Sequence, residues 1–188
     1  IGGFWGNAPK LSKLALENKL EAYNLPQGAL THLVRAIAGG EPGLFTRTGL
    51  NTFVDPEFEG GRINEVTTEN IVEKHNINGE DMLFYKSLPL NVAFIRGTSA
   101  DMEGNITSEE EVGTFSMLSL AQAVKVNGGT VIAQVKRVEQ GSNAVPVHVK
   151  VPGIMVDYVV EVPDQQMTFL TDYNEALIRK DASFEEGD

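Results

Sequence analysis

The stretch EAYNLPQGALTHLVRAIAGG, residues 21–40, is where the fold of this chain can first be read. Leu30, Leu33, Val34 and Ile37 recur at i, i+3, i+4 and i+7, which puts them on one face of a helix over 29–38. The glycine pair at 39 and 40 ends it. Upstream, residues 20–24 read as a short strand, joined to the helix by a Pro-Gln-Gly turn. A helix start is ordinarily capped by Ser, Thr, Asp or Asn. Gln27, between Pro26 and Gly28, is therefore either a plain turn residue or an amide placed to meet a ligand. In open α/β sheets ligands collect beyond the carboxyl ends of strands, beside helix N-termini. Gln27 and Gly28 stand at such a point.

Outward from this unit, PKLSKLALEN (9–18) predicts a helix with Pro9 at its first position, where the missing N–H costs nothing, and an apolar face of Leu11, Leu14 and Ala15. GLFTRTGL (43–50) predicts a strand, and DMLFYK (81–86) and NVAFIRG (91–97), separated by SLPL, a strand pair. TFSMLSLAQAVKV (114–126) predicts a second long helix, closed by Asn127-Gly128-Gly129. TVIAQVKRV (130–138) and MVDYVVEV (155–162) predict strands, with the proline-limited GSNAVPVHVKVPG between them as loop or edge. Strands alternating with helices give an α/β class, an open and partly parallel sheet flanked by helices. Residues 1–174 are expected to form one domain, incomplete at its N-terminus because IGGFWGNAP opens in mid-motif. Residues 175–188 are expected to be an acidic tail or interdomain linker.

Composition narrows the function. The 188 residues are 41% apolar, enough for a sizeable core, and carry 15 basic against 26 acidic side chains for a net charge of −11. That balance argues against nucleic acid, whose affinity comes largely from Lys and Arg on phosphate. The acid concentrates in DPEFEGG near 55, SEEE at 108–111 and the tail DASFEEGD, all expected to be solvated loops. No apolar run is long enough to span a membrane. The absence of cysteine excludes disulfides, thiolate zinc sites and a cysteine nucleophile, and fits a cytosolic protein. His32, His75 and His148 lie far apart with no metal partner at helical spacing. Neither a phosphate-binding loop nor a nucleophile elbow is present, and the glycine-rich GGEPGLFTRTG is accounted for by a helix stop. Glu41 has a glycine context suited to a carboxylate nucleophile but lies in an exposed turn. The donor side of an oxyanion site, in Gln27, is better supplied than the nucleophile.

The block PKLSKLALENKLEAYNLPQGALTHLVRAIAGGEPGLFTRTGLNTFVDP, followed in order by YKSLPLNVAFIRGTSADMEGNIT and SLAQAVKVNGGTVIAQVKRV, resembles family I coenzyme A transferases. The nearest subgroups are the acetate/propionate and 3-oxoacid transferases, and the likeness runs over about residues 1–174. The resemblance implies the transferase fold shared with sugar-phosphate isomerases, and a ping-pong acyl transfer through a glutamyl-CoA thioester. Coenzyme A is then a substrate, with no tightly bound cofactor and no metal. The glutamine of the family's PQG turn falls on Gln27, as an oxyanion donor, and its glycine on Gly28. TGLNTFVDP resembles the family's substrate-pocket loop and nominates Gly49, Asn51 and Phe53. The family's nucleophilic glutamate belongs to a second, homologous half whose glycine-flanked motif is not found here. The expected partners are acyl-CoA, small carboxylates and that C-terminal half, in a cytoplasmic homo-oligomer, and the chain alone is expected to be inactive. Two alternatives are a non-catalytic binding or assembly module that keeps the fold, and a sugar-phosphate isomerase, which would need a basic phosphate pocket.

Overall fold

A computed structural model describes residues 1–141, 145–168 and 171–179. Two units divide the chain, Ile1–Leu88 and Pro89–Asp188.

In the first unit Pro9 opens helix α1 (Pro9–Leu16) at its first position. Helix α2 (Gln27–Ala38) starts two residues earlier than its periodicity indicated, so that Gln27 is its first residue, and it buries Ala29, Leu33 and Ile37. Strands β1 (Gly43–Thr46), β2 (Val72–Ile77) and β3 (Glu80–Lys86) form an antiparallel sheet in the order β1-β3-β2. Asn78 and Gly79 join β2 to β3 with φ of 54° and 88°, the left-handed pair that a two-residue hairpin turn of matching twist requires. The pairing expected between 81–86 and 91–97 therefore does not form, because β3 is already flanked on both edges. The strand expected at 20–24 is reduced to isolated bridges, Gly2 to Asn24 in parallel and Tyr23 to Arg62 antiparallel.

The second unit is a crossover: β4 (Val92–Ala100), helix α3 (Met117–Val126) and β5 (Thr130–Val138), with β6 (Tyr158–Glu161) added on the far side. All three strands are parallel in the order β4-β5-β6, with Ala93 opposite Val131 and Ala133 opposite Val159. Ala93, Ile95, Ala121, Val124, Val131, Ala133 and Val135 form its core beneath α3. Burial of each such valine contributes about 1.5–3 kcal/mol. Gly153–Met155 is a 3-10 turn, which shortens the strand expected at 155–162. The α/β class with a parallel sheet and flanking helices thus holds, but in place of one open sheet there are two, one antiparallel and one parallel. Of the expected tail, Glu175–Leu177 form a 3-10 turn, and 180–188 lie outside the described residues.

Candidate functional site

The turn before α2 explains the unusual residue choice in PQG. Pro26 stands at the N-cap with φ −57° and ψ 131°, and no side chain caps the helix. Proline pre-sets the bend but brings neither an N–H nor a capping oxygen. The first-turn N–H groups of Gln27, Gly28 and Ala29 have no acceptor inside the helix, as at any helix start, and here they keep the partial positive charge of the helix end unmasked. Gln27 and Gly28 are both exposed. A methyl group on Gly28 would meet nothing within 4 Å, so the space over this turn is open. A neutral amide donor, an uncapped helix start and a vacant approach thus coincide at one point. The segment leading to the turn is held from one side by residues 1–3, where Gly2 N–H donates to the Tyr23 carbonyl and Leu25 N–H to the Gly2 carbonyl, both at 3.0 Å.

The loop after β1 is organised by a carboxylate that the sequence reading placed in solvent. Asp55 is fully buried, with 0% exposure. Its carboxylate accepts the N–H of Asn51 at 3.0 Å and of Glu57 at 3.1 Å, and pairs with the Lys74 ammonium on β2 at 3.4 Å. Burial works against the charge, yet the two backbone donors and Lys74 together hold the Asp55 carboxyl below its ordinary value. Asn51 takes a left-handed φ of 57° as its N–H turns toward Asp55. Gly49 has φ +101° and lies beneath Tyr85, where a Cβ would come within 2.6 Å of the phenolic oxygen. That hydroxyl donates to the Thr48 carbonyl at 2.7 Å, and burial with the nearby Asp55 charge pushes it up to about 12. Phe53 is 47% exposed. Its carbonyl accepts the Gly61 N–H at 3.0 Å, and the Gly61 carbonyl accepts the Asn24 N–H at 2.7 Å. The loop carrying Asn51 and Phe53 is thereby tied to the segment that leads into Gln27.

The second unit gathers its own charges at the carboxyl end of β5. Arg137 pairs with Glu109, Glu110 and Glu139, and Lys136 with Glu110 at 2.7 Å. The Lys136 hydrogen bond, aided by Arg137, draws the Glu110 carboxyl below its usual range against its partial burial. Glu111 faces Arg96 at 3.0 Å and Gln165 Nε2 at 2.8 Å, and burial pushes its carboxyl up in spite of the guanidinium. The SEEE run is therefore a set of ion pairs rather than a solvated loop. A cavity of about 350 Å³ opens beside it, lined by Phe94, Arg96, Glu111, Phe115, Met117 and Leu120 among others. None of the residues nominated from sequence lines it. Glu41 is exposed, and its carbonyl accepts the Ser87 hydroxyl at 2.6 Å. His32, His75 and His148 are exposed, and no group of acidic or histidine side chains among the described residues is arranged to hold a metal. Nor, among these residues, is any helix long and apolar enough to cross a membrane.

A coenzyme A transferase family model matches residues 1–162. The chain belongs to that family. Caffeate CoA-transferase of Acetobacterium woodii is 47% identical over 167 residues, and acetate CoA-transferase YdiF of Escherichia coli (strain K12) is 43% identical over 167; each match takes in 89% of this chain and 32% of the other protein. The crystal structure of the acyl-CoA transferase YdiF from E. coli O157:H7, as a thioester complex with CoA, matches with a TM-score of 0.92 at 40% identity. It covers 96% of this chain and 36% of that one. This coenzyme A transferase chain thus spans about a third of the length of the curated relatives it matches.

Sequence reasoning nominated Gln27 and the 49–53 loop but missed Asp55, whose partner Lys74 is distant in the chain. The DP step at 55 was visible in the sequence, but nothing local distinguishes a buried carboxylate from a solvated one.

Proposed function

We propose that this chain is the part of an acyl-CoA:carboxylate CoA-transferase that supplies the oxyanion donor, while the nucleophilic glutamate comes from a second, homologous half. The observation that carries the reading is the exposed Gln27 amide at an uncapped helix start with open space over Gly28. In this reaction the glutamate carboxylate adds to the thioester carbonyl. The C–S bond then breaks, releasing CoA thiolate and leaving an acyl-glutamyl anhydride. The thiolate adds to the glutamyl carbonyl, expels the first carboxylate and leaves a glutamyl-CoA thioester. An incoming acid reverses the sequence. Each addition turns a carbonyl oxygen into an oxyanion, and a positioned N–H donor favours that state over the starting carbonyl. A neutral amide suits the task because it stabilises the developing charge without pairing permanently with the catalytic carboxylate.

In this reading Gly28 leaves room for the thioester, and Asn51 and Phe53 border the acyl or carboxylate pocket. Gly49 shapes the loop that presents them. The cytosolic setting and the association with further copies expected from the resemblance belong to the same proposal. The test is CoA exchange between acetyl-CoA and a second short-chain acid in the complete protein. Gln27→Ala is expected to lower kcat roughly 10²–10³-fold, the usual cost of one oxyanion donor, while its melting temperature stays near that of the wild type. Unchanged exchange kinetics would remove Gln27 from the site.

A further inference from the structure

We infer that Gly3 is a positioning residue for Gln27, acting as a floor without a side chain on which the glutamine amide rests; the inference builds on the role proposed for Gln27. Residues 1–3 run parallel to 23–25 through the two hydrogen bonds between Gly2 and residues Tyr23 and Leu25. The Trp5 indole N–H adds a third tie to the Tyr23 carbonyl at 3.1 Å. This pins Gly3 beside the PQG turn. A Cβ built on Gly3 would collide with Gln27 Oε1, and would stand 3.1 Å from the Leu25 carbonyl oxygen and 3.2 Å from Gln27 Cα.

Gln27 is exposed at the start of a helix and has three rotatable side-chain bonds, so little else limits where its amide points. The Gln27 amide oxygen lies where a side chain on Gly3 would stand. With the oxygen end lodged against Gly3, the NH2 end is the one this inference assigns to the open approach over Gly28, the orientation an oxyanion donor needs. A methyl group at Gly3 has one easy relief, because the atom it strikes first is the tip of a flexible side chain. Gln27 swings away, and the Leu25 carbonyl and Gln27 Cα yield by a few tenths of an ångström. The damage thus falls on the aim of the donor and leaves the fold in place. By contrast, a Cβ at Gly6 in the same segment would meet only the Phe4 ring at 3.7 Å, an ordinary contact.

The experiment is a double-mutant cycle in the complete protein, with Gly3→Ala, Gln27→Ala and the pair, read by kcat, KM and thermal melting, and Gly6→Ala as control. Gly3→Ala is expected to lower kcat by roughly 10²-fold at near-constant KM, the scale of loss from misplacing a reacting group by about 1 Å. Added to Gln27→Ala, it should cost no further activity, since its effect passes through the glutamine. Gly6→Ala should keep wild-type kcat. If Gly3→Ala instead melts early, removing the glutamine side chain should restore its stability. The inference is overturned if Gly3→Ala keeps full kcat, if the two losses multiply, or if an unstable Gly3→Ala stays unstable in the double variant. A Gln27→Ala enzyme with undiminished turnover would remove the donor role itself, and this inference with it.

Discussion

Gln27 and Gly49 were both nominated from sequence, and the structure gives them opposite characters. Gln27 presents a side chain that nothing in the fold requires, exposed at a helix start that a serine or aspartate would cap better. Gly49 is bound by the fold itself. Its φ of +101° is strained for any side chain, and a Cβ there would press on the Tyr85 hydroxyl and stand 3.1 Å from Leu83 Cδ1. Gly49→Ala is therefore expected to destabilise the protein by roughly 2–4 kcal/mol, from left-handed strain plus overpacking, measured as a shift in denaturant midpoint. Part of that loss should be recovered by combining it with Tyr85→Phe, which removes the struck oxygen. A Gly49→Ala protein of wild-type stability would show that the loop is free to move off Tyr85. The positions of Gln27 and Gly28 were legible because local pattern and family likeness agree there. Gly3 and Asp55 were not, since a glycine floor and a buried carboxylate are defined by neighbours that only the fold brings close.

Among the elements, α2 and β5 were read nearly to their ends because each carries an unambiguous period: four apolar residues on one helical face, and alternation along TVIAQVKRV. β2 was missed because Glu73-Lys74-His75-Asn76 places polar side chains on both faces of a short strand. The signal that could have found it was the Asn78-Gly79 turn, the strongest local mark of a hairpin. β2 also supplies Lys74, 19% exposed, to the buried Asp55. The loop from Gly49 to Gly61 therefore depends on a pH-sensitive contact. The Asp55 carboxyl is held below its unfolded value of about 3.9, so its contribution is complete above that pH and is lost as the pH falls through the depressed value. Asp55→Asn should cost roughly 2–4 kcal/mol at neutral pH, from a lost ion pair and a mispaired backbone donor. Melting curves of the two proteins should stay apart down to about pH 5 and converge below about pH 4. A gap that persisted unchanged into that acid range would contradict the assignment of Asp55 as the ionised anchor.

Taken whole, the chain holds the proposed donor, Gln27, and the loop anchored by Asp55 in one unit and a parallel crossover in the other, and spans about a third of its curated relatives. The proposed division of labour makes a direct demand on activity. Residues 1–188 purified alone should give no CoA exchange above background, while the complete protein, or these residues joined by the second half, should exchange CoA between short-chain acids. Exchange by residues 1–188 alone would place a nucleophile among them and end the proposal that it comes from elsewhere. The most direct measurement of the central claim isolates the first half-reaction. The complete protein is mixed with acetyl-CoA, quenched on the millisecond-to-second scale, and the mass of the covalent CoA adduct is followed for wild type and Gln27→Ala. Loss of the Gln27 donor should slow adduct formation roughly 10²–10³-fold while leaving its site unchanged; equal rates in the two proteins would contradict the account.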